Sequence, residues 1–150
     1  MHTTARYFIK TAFIFFALGI FAGIYLYAAP LFGWRLPTTL ISAHTHILLV
    51  GGMMMMILGV AIWFFPRPTQ DDTRYNPALV RTIYWFFAGS TLLRFILEIA
   101  VGLQVSRGLQ LAGLTMALVQ VASILGLIYT LWGRIRPVGS HLREGKGEKF

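Results

Sequence analysis

Four long apolar stretches restrict what this chain can fold into. They cover residues 7–29, 36–65, 78–103 and 109–132. Each reaches the roughly 20 residues that a helix needs to cross a hydrocarbon layer of about 30 Å. They use most of the 150 residues, of which only 12% are charged. We therefore predict an all-α membrane protein with four transmembrane helices and no soluble domain.

The connections between these stretches predict how the helices are arranged. Turns at 30–37 and 105–108 and a polar segment around 66–77 separate the stretches. Because short connections make consecutive helices antiparallel, we expect an up-down four-helix bundle formed by residues 1–136. Residues 137–150 form a Gly- and Lys-rich tail that we expect to be disordered.

The basic residues predict the orientation of the bundle in the membrane. Arg35 and Arg107 fall at one end, and Arg94 lies inside a span. The other ten of the 13 lysines and arginines fall at the opposite end: Arg6, Lys10, Arg67, Arg74, Arg81, Arg134, Arg136, Arg143, Lys146 and Lys149. The positive-inside rule then places both termini in the cytoplasm, in a prokaryotic-type inner membrane. The net charge of +8 reflects this topology, and we expect no nucleic-acid partner.

Two other features narrow the class of protein. The first stretch could be read as a signal peptide, but its apolar core exceeds the usual 7–15 residues or so, and its removal would leave an odd number of spans. The sequence contains no cysteine, which excludes disulfides, thiolate metal sites and covalent attachment of c-type haem.

A histidine pair, His44 and His46, lies a few residues inside the second stretch. Ionisable side chains at membrane depth are costly, so the default interpretation is a functional site. Positions i and i+2 of a regular helix are about 200° apart. The two rings therefore serve two different partners, or the same kind of partner on two sides.

Glycines follow the face of His44 at Gly51, Gly52 and Gly59, whereas Met53 lies on the face of His46. Such glycines either leave space for a flat group beside the helix or let two helices approach closely. Together with the histidine, they favour a planar cofactor.

Non-covalently bound haem fits this pattern, because it binds through neutral imidazole and needs an apolar slot. The histidines lie roughly 10 Å inside the end of the second stretch. Arg35, Arg107 and Trp34 are at the same end and are candidate partners for the haem propionates.

A longer pattern surrounds the histidines. It consists of Ala43-His44-Thr45-His46, Leu49, Gly51, Ile57, Gly59 and Trp63-Phe64-Phe65-Pro66. This pattern resembles the tenth helix of subunit I of haem–copper oxidases and the histidine helices of the related nitric oxide reductases. The resemblance implies that His44 matches the ligand of the high-spin haem and His46 the ligand of the low-spin haem.

This chain departs from that family in two ways. The family subunit has twelve spans in three four-helix units, whereas this chain has four spans. The copper-binding histidines of the family have no counterpart here, so we expect no copper and no oxygen reduction. We hypothesise that three copies form a ring in which His44 of one protomer and His46 of the next bind the same haem. A dimer remains an alternative.

Arg94 and Glu98 are four residues apart in the third stretch and can pair on one helix face. The pair has a structural interpretation, a salt bridge joining helices. It also has a functional one, in which Arg94 binds a propionate or Glu98 relays protons. The run Met53–Met56 covers all faces of a helix, so we interpret it mainly as packing.

The sequence thus favours a membrane b-type haem protein for electron transfer, or for diatomic gas or quinol chemistry, and leaves open whether it is an enzyme. The expected partners are other copies of the chain, the bilayer, and an electron donor or quinol. One alternative is a haem-free transporter or assembly factor that uses the histidines for a divalent metal or protons. Another is a purely structural subunit of a larger complex.

Overall fold

The computed structural model describes residues 3–66, 74–136 and 147, and these residues are helical apart from short connections. The elements are α1 (Thr3–Phe32), α2 (Leu40–His46), a π-helix (Ile47–Met54), α3 (Met55–Phe64), α4 (Pro77–Leu103), α5 (Arg107–Leu131) and a 3₁₀ turn (Trp132–Arg134). The first three elements after α1 form one continuous span, Leu40–Phe64. The described chain therefore contains four helices that are long and apolar enough to cross a membrane, as predicted. The predicted tail, 137–150, lies outside the described residues except for Gly147.

Helix α1 continues through Pro30, beyond the end expected at residue 29. It ends two residues later because Gly33 adopts a φ of 67°, a left-handed conformation that glycine accepts without strain. The backbone N–H of Trp34 then donates to the carbonyl of Ala29 at 2.9 Å. This is the Schellman arrangement, which satisfies one of the carbonyls left open at a helix end.

The second span is not a regular helix throughout. Both histidines lie in its α-helical first part, and the π-helix begins at the next residue, Ile47. The i, i+2 geometry assumed for His44 and His46 therefore applies. A π-helix of eight residues is unusual, because such turns occur mostly as single-turn bulges, often at functional sites.

Helix α4 starts with a well-formed cap. Pro77 occupies the first turn, where its missing N–H costs little. The side chain of Asn76 accepts a hydrogen bond from the N–H of Ala78 at 2.9 Å. Capping by asparagine stabilises a helix N-terminus by about 1 kcal/mol.

The contacts between helices show that consecutive spans are antiparallel. Early residues of α1 face late residues of the second span, as with Phe8 and Gly59, and later residues of α1 face earlier ones, as with Gly19 and Leu48. Helices α4 and α5 also run antiparallel, since Ile83 lies beside Gly126 whereas Arg94 lies beside Gln120. The bundle is therefore up-down, which follows from the short connections.

The core lies where α1, the second span and α4 meet, around Phe8, Phe15, Met55 and Phe87. Helix α5 packs mainly on α4. Much of its surface consists of exposed apolar side chains, namely Leu111, Leu114, Leu118, Val121, Leu125 and Ile128. An exposed apolar face of this size is expected when a helix contacts lipid or another protein.

Candidate functional site

His44 faces α1. Its Nδ1 lies 2.9 Å from the backbone carbonyl of Gly19, and because a carbonyl only accepts, Nδ1 carries the proton and donates. In neutral imidazole this leaves Nε2 with a lone pair. Among the described residues, Nε2 of His44 has no hydrogen-bond partner. A side chain at Gly23 would disturb this arrangement, since an added Cβ would lie 2.9 Å from Cε1 of His44.

His46 faces α4 and is held at both ring nitrogens. A guanidinium nitrogen of Arg94 lies 2.9 Å from Nε2, and the carboxylate of Glu98 lies 3.1 Å from Nδ1. Because arginine only donates, Nε2 must accept, and neutral His46 then carries its proton on Nδ1 and donates it to Glu98. Ser42, one turn earlier, is 3.2 Å from the same Nδ1. The two histidines therefore have different partners on different helices.

Arg94 connects three spans through hydrogen bonds. Besides His46, it donates to Glu98 at 2.9 Å on its own helix and to the side-chain oxygen of Gln120 on α5 at 2.9 Å. The Gln120 amide in turn donates to the hydroxyl of Thr91 at 2.8 Å. These contacts agree with the structural interpretation of the Arg94–Glu98 pair as a salt bridge that joins helices. Here the pair connects the second span with α4 and α5.

The ionisable side chains of this network are largely removed from solvent. The side chains of His46, Arg94 and Glu98 are 34%, 21% and 16% exposed. Burying charge is costly unless each charge is paired and hydrogen-bonded. Here Arg94 and Glu98 neutralise each other, and the hydroxyl of Thr39 also donates to the backbone carbonyl of Glu98.

The glycines of the second span lie against phenylalanine rings of α1. An added Cβ would be 2.7 Å from the ring of Phe15 at Gly51, and 2.6 Å from the ring of Phe16 at Gly52. Close helix approach, one of the two interpretations of these glycines, is therefore what the structure contains. The space beside them is occupied by α1.

The other predicted site residues lie near the histidine end of the bundle or beside it. Arg35 donates to the carbonyl of Leu103 at 2.6 Å and is exposed. Arg107 is exposed and begins α5. Met53 lies in the π-helix and is 49% exposed. Within the described ranges, no hydrogen bond links Arg35, Arg107 or Met53 to either histidine.

Sequence reasoning missed the role of Arg134, which it treated only as a topological charge. Its side chain is buried, with 1% of its surface exposed. It donates to the carbonyls of Ile62, Phe65 and Pro66 at 2.9–3.0 Å and lies over the ring of Tyr75. A signal was available, because Pro66 ends the second span and leaves its last carbonyls without helical partners.

Within residues 3–66, 74–136 and 147, no three His, Cys, Asp or Glu side chains lie close enough together to hold a metal ion. Comparisons with family models, with curated proteins and with solved structures gave no match.

Proposed function

We propose that this chain is an integral membrane protein that binds b-type haem non-covalently through His44 and His46, between protomers of a homotrimer. The observation that carries the proposal is the His44 imidazole, whose Nδ1 donates to a backbone carbonyl while Nε2 has no partner among the described residues. Metal-ligating histidines characteristically donate their other ring N–H in this way, which fixes the tautomer and the ring orientation.

Haem makes modest demands on the protein, and His44 meets them. The porphyrin supplies four nitrogens to the iron, so the protein provides only one or two axial ligands. His44 lies in the apolar second span, in which Val50 follows six residues later. The small residues Gly19 and Gly23 of α1 lie beside it. The donor chemistry therefore fits this cofactor, and the slot for the porphyrin would lie between protomers, because α1 occupies the space beside Gly51 and Gly52.

His46 fits as the second ligand only after one hydrogen bond is exchanged. Its Nε2 accepts from Arg94 in the single chain, so ligation by His46 replaces this contact. Glu98 stays hydrogen-bonded to Nδ1 and orients the ring. Arg94 keeps its bonds to Glu98 and Gln120, which leaves its charge compensated.

When bound, haem with two histidine ligands supplies one-electron transfer, and haem with one open position also supplies binding of a diatomic gas. The residues of the chain hold the ligating rings in defined tautomers and keep them in an apolar environment. The resemblance of the histidine helix to that of haem–copper oxidases and nitric oxide reductases supports the same proposal.

A trimer is favoured by three features. The two histidines face different helices, so one chain does not present both rings to one iron. Four spans are one third of the twelve found in the family that the histidine helix resembles. Helix α5 has an exposed apolar face available for contact with a neighbour. A closed ring of identical head-to-tail contacts satisfies all three.

We further propose that both termini are cytoplasmic and that the histidine end of the bundle faces outward, as the distribution of basic residues indicates. Because the sequence has no cysteine, single-cysteine variants test this directly. We expect Ser106→Cys to react with a membrane-impermeant maleimide added to intact cells, whereas Ser140→Cys reacts only after lysis. The reverse pattern would overturn the orientation.

The haem proposal is tested on the full chain purified in mild detergent. We expect a red preparation, a Soret band that shifts on reduction, and a trimer by mass measurement. His44→Ala should lose the haem, because its ring is the ligand that needs no rearrangement. His46→Ala should convert six-coordinate to five-coordinate iron, detected as new carbon monoxide binding. His141→Ala, in the tail, is the matched control and should retain the parent spectrum.

A colourless parent protein expressed with ample haem supply would refute the proposal. So would a His44→Ala variant with the same haem content as the parent. A mass corresponding to a haem-containing monomer would refute the trimer and the second ligand, His46, but not the assignment of His44.

One observation favours a second candidate function, a haem-free proton-coupled transporter. His46 accepts a hydrogen bond from Arg94 and donates one to Glu98, so an imidazole and a carboxylate are hydrogen-bonded to each other inside the bundle. In that case the preparation is colourless, and vesicles containing the protein take up protons in a way that Glu98→Gln abolishes. Absorption spectroscopy therefore separates the two candidates.

A further inference from the structure

A cavity of about 270 Å³ lies between α4 and α5, near the end of the bundle that carries the two histidines. Its walls are largely apolar and include Leu97 and Val101 of α4 and Leu114 of α5. The cavity exists because Gly113 and Ala117, one turn apart on α5, provide almost no side-chain volume. An added Cβ at Gly113 would have no atom within 4 Å.

The polar lining of this cavity is electrically compensated. Arg94 and Glu98 both line it, and they are paired with each other at 2.9 Å. A ligand with a net charge would gain one favourable interaction and one unfavourable interaction of similar size. The cavity therefore suits a neutral molecule.

The lining still has unused hydrogen-bonding capacity. Arginine has five N–H groups, and within the described chain Arg94 uses three of them, for Glu98, Gln120 and His46, so two remain. The Glu98 carboxylate offers about four lone-pair positions, more than its present partners occupy. Gln110, which also lines the cavity, has an exposed side-chain amide that both donates and accepts.

We propose that this cavity binds the ring of a membrane-soluble hydroquinone or quinone. Its volume of about 270 Å³ is just below the usual range of small-molecule pockets, about 300–1,000 Å³, and so suits a single substituted ring. A ring of this class is neutral and apolar on its faces, and its oxygens donate to carboxylate as hydroquinone or accept from guanidinium and amide as quinone. The exposed Leu114 places the opening on the outer surface of the bundle, where lipid-soluble molecules have access.

The bound ring would share Arg94 and Glu98 with His46. Its hydrogen bonds would therefore compete with, or reinforce, those that hold the His46 imidazole. This binding does not depend on haem at His44, so the site is tested separately from the function proposed above.

The test is photolabelling of the full-length protein in detergent with azidotrimethylbenzoquinone, followed by mass mapping of labelled peptides. We expect label at Thr39 or within residues 94–101 or 109–117, and competition by tetramethylhydroquinone. Gly113→Leu should reduce labelling about tenfold, because the new side chain fills the cavity without a clash. Gly89→Leu is the matched control, since a Cβ there also meets nothing within 4 Å but Gly89 does not line the cavity.

Gln110→Leu provides a second variant that leaves the volume almost unchanged and removes the amide, and it should also weaken labelling. Helical content by circular dichroism confirms that each variant is folded. Equal labelling of the two glycine variants would overturn the proposal, as would label away from Thr39 and the two ranges. Equal competition by dodecanol would show that an acyl chain occupies the cavity and would also overturn it. So would a change in oligomeric mass in Gly113→Leu without competition by the hydroquinone, because the cavity would then be an interface between copies.

Discussion

The Arg94–Glu98 pair is expected to be strongly coupled in stability. In Arg94→Leu, the carboxylate of Glu98 keeps its charge in a largely buried position, and the acceptors on Gln120 and His46 lose their donor. Breaking a buried ion pair from one side costs about 3–5 kcal/mol. Since both side chains retain some exposure, 21% and 16%, we expect the lower end of that range, about 3 kcal/mol. Glu98→Leu should cost a similar amount for the converse reason.

The double variant distinguishes this reasoning from simple loss of packing. With both charges removed, no uncompensated charge remains, so Arg94→Leu/Glu98→Leu should lose less than either single variant, about 1–2 kcal/mol from the donor that Gln120 and His46 still lack, and not the additive 6 or so. The free energy of unfolding is measured by titration with dodecyl sulfate in mixed micelles, followed by circular dichroism. Arg81→Leu, an exposed arginine on the same helix, is the control and should change stability by less than about 0.5 kcal/mol. Additive single effects, or a loss below about 1 kcal/mol in Arg94→Leu, would refute the argument.

Three further predictions use the same unfolding titration. Gly59→Leu should lower the free energy of unfolding by about 1–3 kcal/mol, because its Cβ would lie 2.8 Å from a side-chain atom of α1. Gly89→Leu has open space around the new Cβ and should be close to neutral. Similar losses in the two variants would contradict the close approach of α1. Arg134→Met should lower the free energy of unfolding by about 2–3 kcal/mol, because three carbonyls at the end of the second span lose a buried charged donor. Arg134→Lys should restore less than half of this loss. Full restoration by lysine would show that only the charge matters. Tyr84→Phe should lose about 0.5–1.5 kcal/mol through its hydrogen bond with Thr11 at 2.8 Å, and no loss would mean that water replaces the bond.

The sequence predicts the spans well because one physical quantity determines them. A helix that crosses a hydrocarbon layer needs about 20 apolar residues, and the four stretches stand out on that criterion alone. Their antiparallel order follows from the shortness of the turns before Leu40 and after Leu103. The pairing of Arg94 with Glu98 follows equally directly, because residues four apart share one face of a helix.

Other features depend on tertiary contacts that a sequence pattern does not contain. The glycines at 51 and 52 are consistent with either an open slot or a close neighbour, and only the positions of Phe15 and Phe16 on α1 decide between them. The end of α1 at Phe32 depends on the Schellman turn at Gly33 and not on Pro30, which the helix accommodates. The π-helix after His46 has no comparable sequence signal, since its residues are ordinary helix formers apart from two glycines.

For the candidate site, the sequence predicts that the two histidines face different helices, but it does not predict that their hydrogen bonding differs. The spacing of His44 and His46 predicts that the rings face different neighbours, and they do, one toward α1 and the other toward α4. It does not predict that Nε2 of His44 has no partner among the described residues while His46 is held at both ring nitrogens. That difference arises because α4 carries Arg94 and Glu98 at the level of His46, whereas α1 offers His44 only a backbone carbonyl.

This asymmetry has a consequence for how two histidines of one helix would act in an assembly. His44 offers Nε2 without any rearrangement, so its capacity to bind a metal centre is the same in a single chain and in an oligomer. His46 must first give up a hydrogen bond to Arg94, which as a charge-assisted bond contributes about 1.5–3 kcal/mol. A second ligand therefore forms only where a neighbouring protomer brings a bound group close enough to repay that loss. Arg94 remains compensated by Glu98 and Gln120 after the exchange, so the cost is confined to one contact. In the proposed assembly, haem binding at His44 would therefore be independent of assembly, whereas binding at His46 would depend on it.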